Sequence, residues 1–237
     1  MSLPVAILAG GLATRLGPVT ERIPKALVDV AGRPFAEHQI ALLARHGLTD
    51  IVWLTGHLGT MIEEALGDGS RFGVRLRYVP DGPAPLGTGG AIRAAIGSLG
   101  DAFFVLYGDS YLECDYARIA HAFLGSGRSG LMTVLRNDDR WDRSNVRFED
   151  GRILAYSKGD TGPEFQHIDY GLGVFHARAF AGYHSTSAFD LAAVYQRLLV
   201  ADDLAAWEVH ERFYEIGSPA GLADTRAHLS GGTERNR

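Results

Sequence analysis

Cysteine is almost absent from the chain: Cys114 is the single one among 237 residues. One thiol excludes an internal disulfide and a cysteine metal cluster, and it suits a reducing, cytoplasmic setting. Long apolar runs are also missing. No stretch approaches the roughly 18 consecutive apolar residues of a membrane span, so no membrane partner is expected. Met1 to Pro4 lacks the basic start of a signal peptide, and none is expected there. Basic clusters are scarce as well, because 28 Asp and Glu outnumber 23 Lys and Arg for a net charge of −5. Nucleic acid is therefore not an expected partner, and any anion site must be built locally. There is no internal repeat. No G-x-G-x-x-G follows the first apolar run, which counts against a dinucleotide-binding dehydrogenase.

What remains is ordinary for a globular chain: 46% hydrophobic and 22% charged residues, enough for one large α/β domain, expected over 1–230, ahead of a frayed polar tail at 231–237. The first half alternates strands with helical patterns. Val5 to Ala9, Ile51 to Thr55 and the unbroken Ala102 to Tyr107 read as strands, the last central in a parallel sheet. Val74, Leu76 and Tyr78 alternate with arginines, as a half-exposed strand near an edge would. Apolar residues at helical spacing occupy 36–47, 58–66 and 91–99. Repeated βα units predict a doubly wound, mostly parallel, Rossmann-like sheet with ligands beyond the carboxyl ends of its strands. Two segments fall at such ends: Gly10-Gly11 and Gly108-Asp109.

The second half changes character. A hairpin is expected over 145–157 around Glu149-Asp150-Gly151, then a strand over 166–175 interrupted by Gly171 and Gly173, and a helix over 189–199. A last strand, 212–216, precedes Ser218-Pro219, a helix start with serine as N-cap and proline in the first turn. The β-rich stretch at about 136–176 is expected as a subregion of the same sheet.

Glycines at a strand end let backbone N–H groups approach an anion, and Arg15 and Lys25 can add a fork and a point charge, a pairing suited to polyphosphate. In isolation Gly10-Gly11 is an ordinary turn. The full run is more specific. Leu8-Ala9-Gly10-Gly11, Thr14-Arg15-Leu16, Thr20, Pro24-Lys25 and Gly32 with Pro34 together resemble the N-terminal signature of the sugar-1-phosphate nucleotidyltransferases. The resemblance extends from Val5 to about Leu229.

That resemblance implies a reaction, nucleoside triphosphate plus sugar 1-phosphate giving a nucleotide sugar plus pyrophosphate, and roles for residues. Asp109, in the G-D motif, would be a magnesium ligand. Glu215 in Glu215-Ile216-Gly217-Ser218-Pro219 stands where the family has aspartate and would be the second. Arg15 would stabilise pyrophosphate, and Lys25 would orient the sugar phosphate. The Leu86-Gly87-Thr88-Gly89-Gly90-Ala91 segment would line the base and sugar pockets, with Leu8, Gly10, Gly11, Gly87 and Asp81 on the nucleotide and Gly90 on the sugar phosphate. His57 is a weaker candidate. Lys158 would contact the sugar phosphate. Ser157 replaces the glutamate of the family's E-K pair, and Asp169 stands where many members have asparagine, so Asp169 would recognise hydroxyls. Among short members the likeness is to heptose- or mannose-1-phosphate guanylyltransferases of cell-surface polysaccharide synthesis. GTP with D-glycero-D-manno-heptose 1-phosphate or mannose 1-phosphate is the first expectation. A uridylyltransferase for an amino-sugar phosphate such as N-acetylmuramate 1-phosphate is the second, and a non-catalytic regulatory paralogue the alternative of another class. The chain would act as a monomer or homodimer.

Overall fold

The computed structural model of the chain describes residues 2–11, 22–159 and 162–231. Arg15, the remainder of the Thr14–Thr20 motif and the expected frayed tail beyond Gly231 lie outside the described residues.

The elements run in chain order as β1 (Val5–Ala9), β2 (Asp29–Val30), β3 (Arg33–Pro34), α1 (Phe35–Arg45), β4 (Asp50–Thr55), α2 (Gly59–Leu66), β5 (Arg75–Pro80), α3 (Gly87–Leu99), β6 (Ala102–Tyr107), β7 (Ser110–Leu112) and α4 (Tyr116–Ser126). They continue as β8 (Gly130–Arg136), β9 (Val146–Glu149), β10 (Arg152–Tyr156), β11 (His167–His176), α5 (Leu191–Val200), β12 (Leu204–Val209), β13 (Phe213–Glu215) and α6 (Pro219–Gly231). One nine-stranded sheet carries the fold, in the order β10-β9-β11-β6-β1-β4-β5, with β8 also on β11 and β12 on β8. The stretch β5-β4-β1-β6 is parallel, as βα crossovers require, and β11 runs antiparallel beside β6.

Side chains alternate across this sheet. Val5 and Ile7 join a core with Ile40, Leu43, Ile62 and Phe123 from α1, α2 and α4. Ala6, Val52 and Leu54 face the opposite core with Ile92, Ala95 and Leu198 from α3 and α5. Helices cover both faces, so the sheet is doubly wound. The hairpin turn falls at Asp150-Gly151, both with positive φ. Strand β11 runs through Gly171 and Gly173 unbroken, but its register against β8 shifts between Asp169 and Gly173.

Two cavities adjoin where β1 and β6 end and β7 begins. One, of about 490 Å³, is walled by β1, the glycines after it and the start of α3. The other, of about 700 Å³, lies over β10, β11 and the loop between β8 and β9. Tyr107 and Asp109 line both.

Candidate active site

The close approach of three loops makes the first cavity. Gly108 N donates to Leu8 O at 2.9 Å, and a Cβ at Gly108 would sit 2.8 Å from that oxygen. A Cβ at Gly56 would likewise meet Gly10 O at 2.8 Å. Only glycine lets these strand ends pack this tightly. Leu8, Gly10, Gly11, Lys25, Asp81, Gly87 and Asp109, expected from the sequence, all line this cavity. Asp81 Oδ2 accepts from Leu86 N at 3.4 Å, and burial raises its carboxyl above the ordinary aspartate range.

Other expected residues lie elsewhere. Gly90 reaches neither cavity wall. A Cβ there would meet Ser187 O at 2.5 Å, and Gly90 N donates to Phe189 O at 3.2 Å, so its glycine is explained by packing against the segment before α5. Thr88 does not cap its own helix: its Oγ1 accepts from Leu191 N at 2.8 Å and supports the start of α5. His57 is exposed.

At the shared wall Lys25 Nζ donates to Asp109 Oδ2 at 2.9 Å. The turn holding Asp109 is braced from beneath by Gln39 on α1, whose Nε2 donates to Tyr107 O at 2.9 Å and Ser110 O at 2.6 Å. Asp109 O accepts from Ile216 N at 2.9 Å, and Glu215 pairs in register with Ser110 across β7 and β13. Of the two expected metal residues, Asp109 thus stands in the turn before β7 and Glu215 at the end of the paired strand β13, and both line the larger cavity. Their carboxylates have different partners. Glu215 accepts from Ser218 Oγ at 2.6 Å and from Gly217 N, at the start of α6. Ser218 Oγ in turn accepts from Gly221 N at 3.0 Å, the expected N-cap. Oxygen donors of this kind suit a hard divalent ion. No group of three or more His, Cys, Asp or Glu gathers among the described residues, so such an ion would complete its shell with phosphate oxygens and water.

In the larger cavity Asp169 Oδ1 accepts from Gly171 N at 3.0 Å and Oδ2 from Tyr156 Oη at 3.4 Å. Burial pushes its carboxyl up to about 6, against the pull of that backbone N–H and of Lys158. Lys158 Nζ is held by both oxygens of Asp190, at 2.8 and 2.9 Å. Ser157 also lines this space. Sequence reasoning passed over Tyr107, Gln39, Trp141 and Arg143. Tyr107 continues an apolar strand, Gln39 sits inside a helical pattern, and the loop holding Trp141 and Arg143 carries no local signal.

An α/β sheet whose strand ends offer glycine-lined backbone, a lysine–aspartate pair and two adjoining cavities is built to take an anionic ligand beyond its strand ends. Residues 5–145 match the family model described as nucleotidyl transferase, and the chain belongs to that family. It is 29% identical over 225 residues to N-acetylmuramate alpha-1-phosphate uridylyltransferase of Neisseria meningitidis, spanning 93% of this chain and 96% of that protein. It is 33% identical over 172 residues to mannose-1-phosphate guanylyltransferase of Mycobacterium tuberculosis, spanning 71% of this chain and 47% of that protein. The chain thus spans nearly all of the first relative and about half the length of the second. Among solved structures, HddC of Yersinia pseudotuberculosis superposes with a TM-score of 0.80 at 25% identity, covering 96% of this chain and 100% of that one.

Proposed function

We propose that the chain joins a nucleoside triphosphate to a sugar 1-phosphate, releasing pyrophosphate. The observation that carries this reading is the pair of cavities walled in common by Tyr107 and Asp109, with Lys25 bound to Asp109 at 2.9 Å. A nucleotide in the glycine-lined cavity and a sugar phosphate in the other would bring their phosphates together at that wall. The sugar phosphate is already a nucleophile, so neither a covalent intermediate nor a general base is needed. Positioning and charge stabilisation suffice. Lys25 would orient the attacking phosphate oxygen, and Arg15 would stabilise the departing pyrophosphate. Asp109 and Glu215 would hold magnesium, which when bound supplies charge neutralisation between the two phosphates. Lys158 and Asp169 would hold the sugar phosphate and its hydroxyls.

For the base, GTP is the first choice. Asp81 lines the nucleotide cavity, and a carboxylate accepts but does not donate. Guanine offers two adjacent donors to such a group, N1–H and the 2-amino, whereas uracil offers one. The acceptor is then heptose or mannose 1-phosphate. A second reading, a uridylyltransferase for an amino-sugar phosphate such as N-acetylmuramate 1-phosphate, is favoured by the nearly end-to-end match to the Neisseria protein. The regulatory alternative is weakened by the intact Lys25–Asp109 pair.

Pyrophosphate release across four nucleoside triphosphates and a panel of sugar 1-phosphates tests both readings. Turnover is expected with GTP and a heptose or mannose phosphate. UTP with an amino-sugar phosphate would favour the second reading, and silence across the panel would leave the regulatory one. Asp109→Asn should remain folded and lose at least a hundredfold in turnover; near-normal rates with magnesium would refute the metal role.

A further inference from the structure

The loop between β8 and β9 is built as a rigid bracket. Asn137 is 0% exposed at its centre. Its Nδ2 donates to Asp142 O at 2.6 Å and Ser144 Oγ at 3.1 Å, and its Oδ1 accepts from Trp141 N at 3.4 Å. Ser144 N closes the bracket on Asp139 Oδ1 at 2.7 Å. Asn137 N and Asp138 N both tie to Gln166 O, at 2.9 and 3.0 Å. The bracket presents Trp141, a residue 37% exposed, at the wall of the larger cavity.

That indole is held from a second direction. The Arg212 guanidinium lies 5.2 Å from the Trp141 ring centroid and 4.9 Å from that of Tyr214. It is fixed by Asp224 at 2.5 Å. Phe213 meets the indole edge-on, with centroids 6.0 Å apart, and Tyr214 stacks on His228. An exposed tryptophan fixed by a hydrogen-bonded loop and a cation–aromatic stack is preorganised for contact with a ligand. Neither Trp141 nor its bracket lines the nucleotide cavity.

We infer that Trp141 is a specificity-determining wall for the acceptor sugar, packing against carbon-bearing substituents remote from the phosphate. Among the acceptors proposed above it favours heptose 1-phosphate, with its extended exocyclic chain, or in the second reading an N-acylated sugar phosphate, over the plain hexose mannose 1-phosphate, which turns over less efficiently. This inference rests on the larger cavity being the sugar-phosphate site.

Steady-state kinetics with the best acceptor of the panel tests it in the full chain. Trp141→Ala should raise KM for the sugar phosphate about tenfold and leave KM for the nucleotide and kcat within twofold, the pattern of a lost uniform binding contact. Its preference for substituted over plain acceptors should fall by a similar factor, and Trp141→Phe should recover most of both. Saturating sugar phosphate, with nucleotide present, should change tryptophan emission in the parent and not in Trp141→Phe, where Trp53 and Trp207 remain. An active parent whose Trp141→Phe and Trp141→Ala variants keep sugar KM, acceptor preference and the emission change would overturn the inference alone. A parent silent with every acceptor would overturn the reading of the cavity and the inference with it.

Discussion

Asp169 shows how a single half-buried carboxyl links stability to recognition. Its carboxyl titrates near 6 against an ordinary 3.8, because burial outweighs the Gly171 N–H and Lys158. An acid raised in this way binds its proton more tightly when folded. Its contribution therefore favours the folded chain fully below about pH 4 and is lost as pH rises through about 6. Asp169→Asn cannot ionise and keeps an oxygen for Gly171 N. It should be more stable than the parent above pH 6 by up to roughly 3 kcal/mol, the difference vanishing below pH 4, as denaturant melts across pH would measure. The same variant should raise sugar-phosphate KM. The parent's own KM should climb as pH falls through about 6 and its acceptor carboxylate is lost. A stability gap independent of pH would mean that Asp169 does not titrate in this range. The sequence marked Asp169 through its family position alone; its raised carboxyl comes from burial in the folded sheet, with Asp190 adding to it and the Tyr156 hydrogen bond opposing it, and these groups converge only when the sheet has formed.

Among the elements, β11 places Asp169 through an irregularity rather than through regular pleating. Its pairing with β8 shifts between Asp169 and Gly173, and Gly171 inside the shift has φ of +92°. Such bulges re-aim side chains. A Cβ at Gly171 would find its nearest neighbour, Ser110 Oγ, at 3.7 Å, so space is not the obstacle. The backbone conformation is, and Gly171→Ala should cost about 1–2 kcal/mol in stability. If the bulge aims Asp169, the variant should also raise sugar-phosphate KM and spare nucleotide KM; unchanged sugar KM in a folded variant would separate the two. Elements differ in how legibly the sequence announced them. The apolar runs of β1, β4 and β6 and the helical spacing of α1 and α3 were plain, because burial on both faces of a parallel sheet stamps a strong local pattern. The half-exposed pattern of β5 matches its place at the end of the strand order. Helix α4 and strands β8 and β12 went unread. Leu204–Val209 pairs with residues 130–135 of β8, far back along the chain, and no window of local sequence contains that partnership.

At the scale of the whole molecule, one sheet carries both cavities, and Tyr107 and Asp109 line both of them. A ligand that binds only the folded chain stabilises it by about 2.7 kcal/mol at a hundred times its Kd. For a chain of this size each 1 kcal/mol corresponds to roughly 2–4 °C in melting temperature. A saturating nucleoside triphosphate with magnesium should therefore raise the melting temperature by about 5–10 °C. The base enters the same measurement. If the Asp81 carboxylate receives the paired donors of guanine, GTP should give a larger shift than UTP at equal concentration. Asp81→Asn should reduce the GTP shift and leave the UTP shift nearly unchanged, because one amide oxygen still serves a single imide N–H. Arg15→Ala should lower both shifts together, since the contact proposed for it, to the pyrophosphate that departs, is common to every nucleoside triphosphate. Equal GTP and UTP shifts that respond equally to Asp81→Asn would remove Asp81 from base selection and leave the phosphate wall as the only part of the nucleotide site supported by binding.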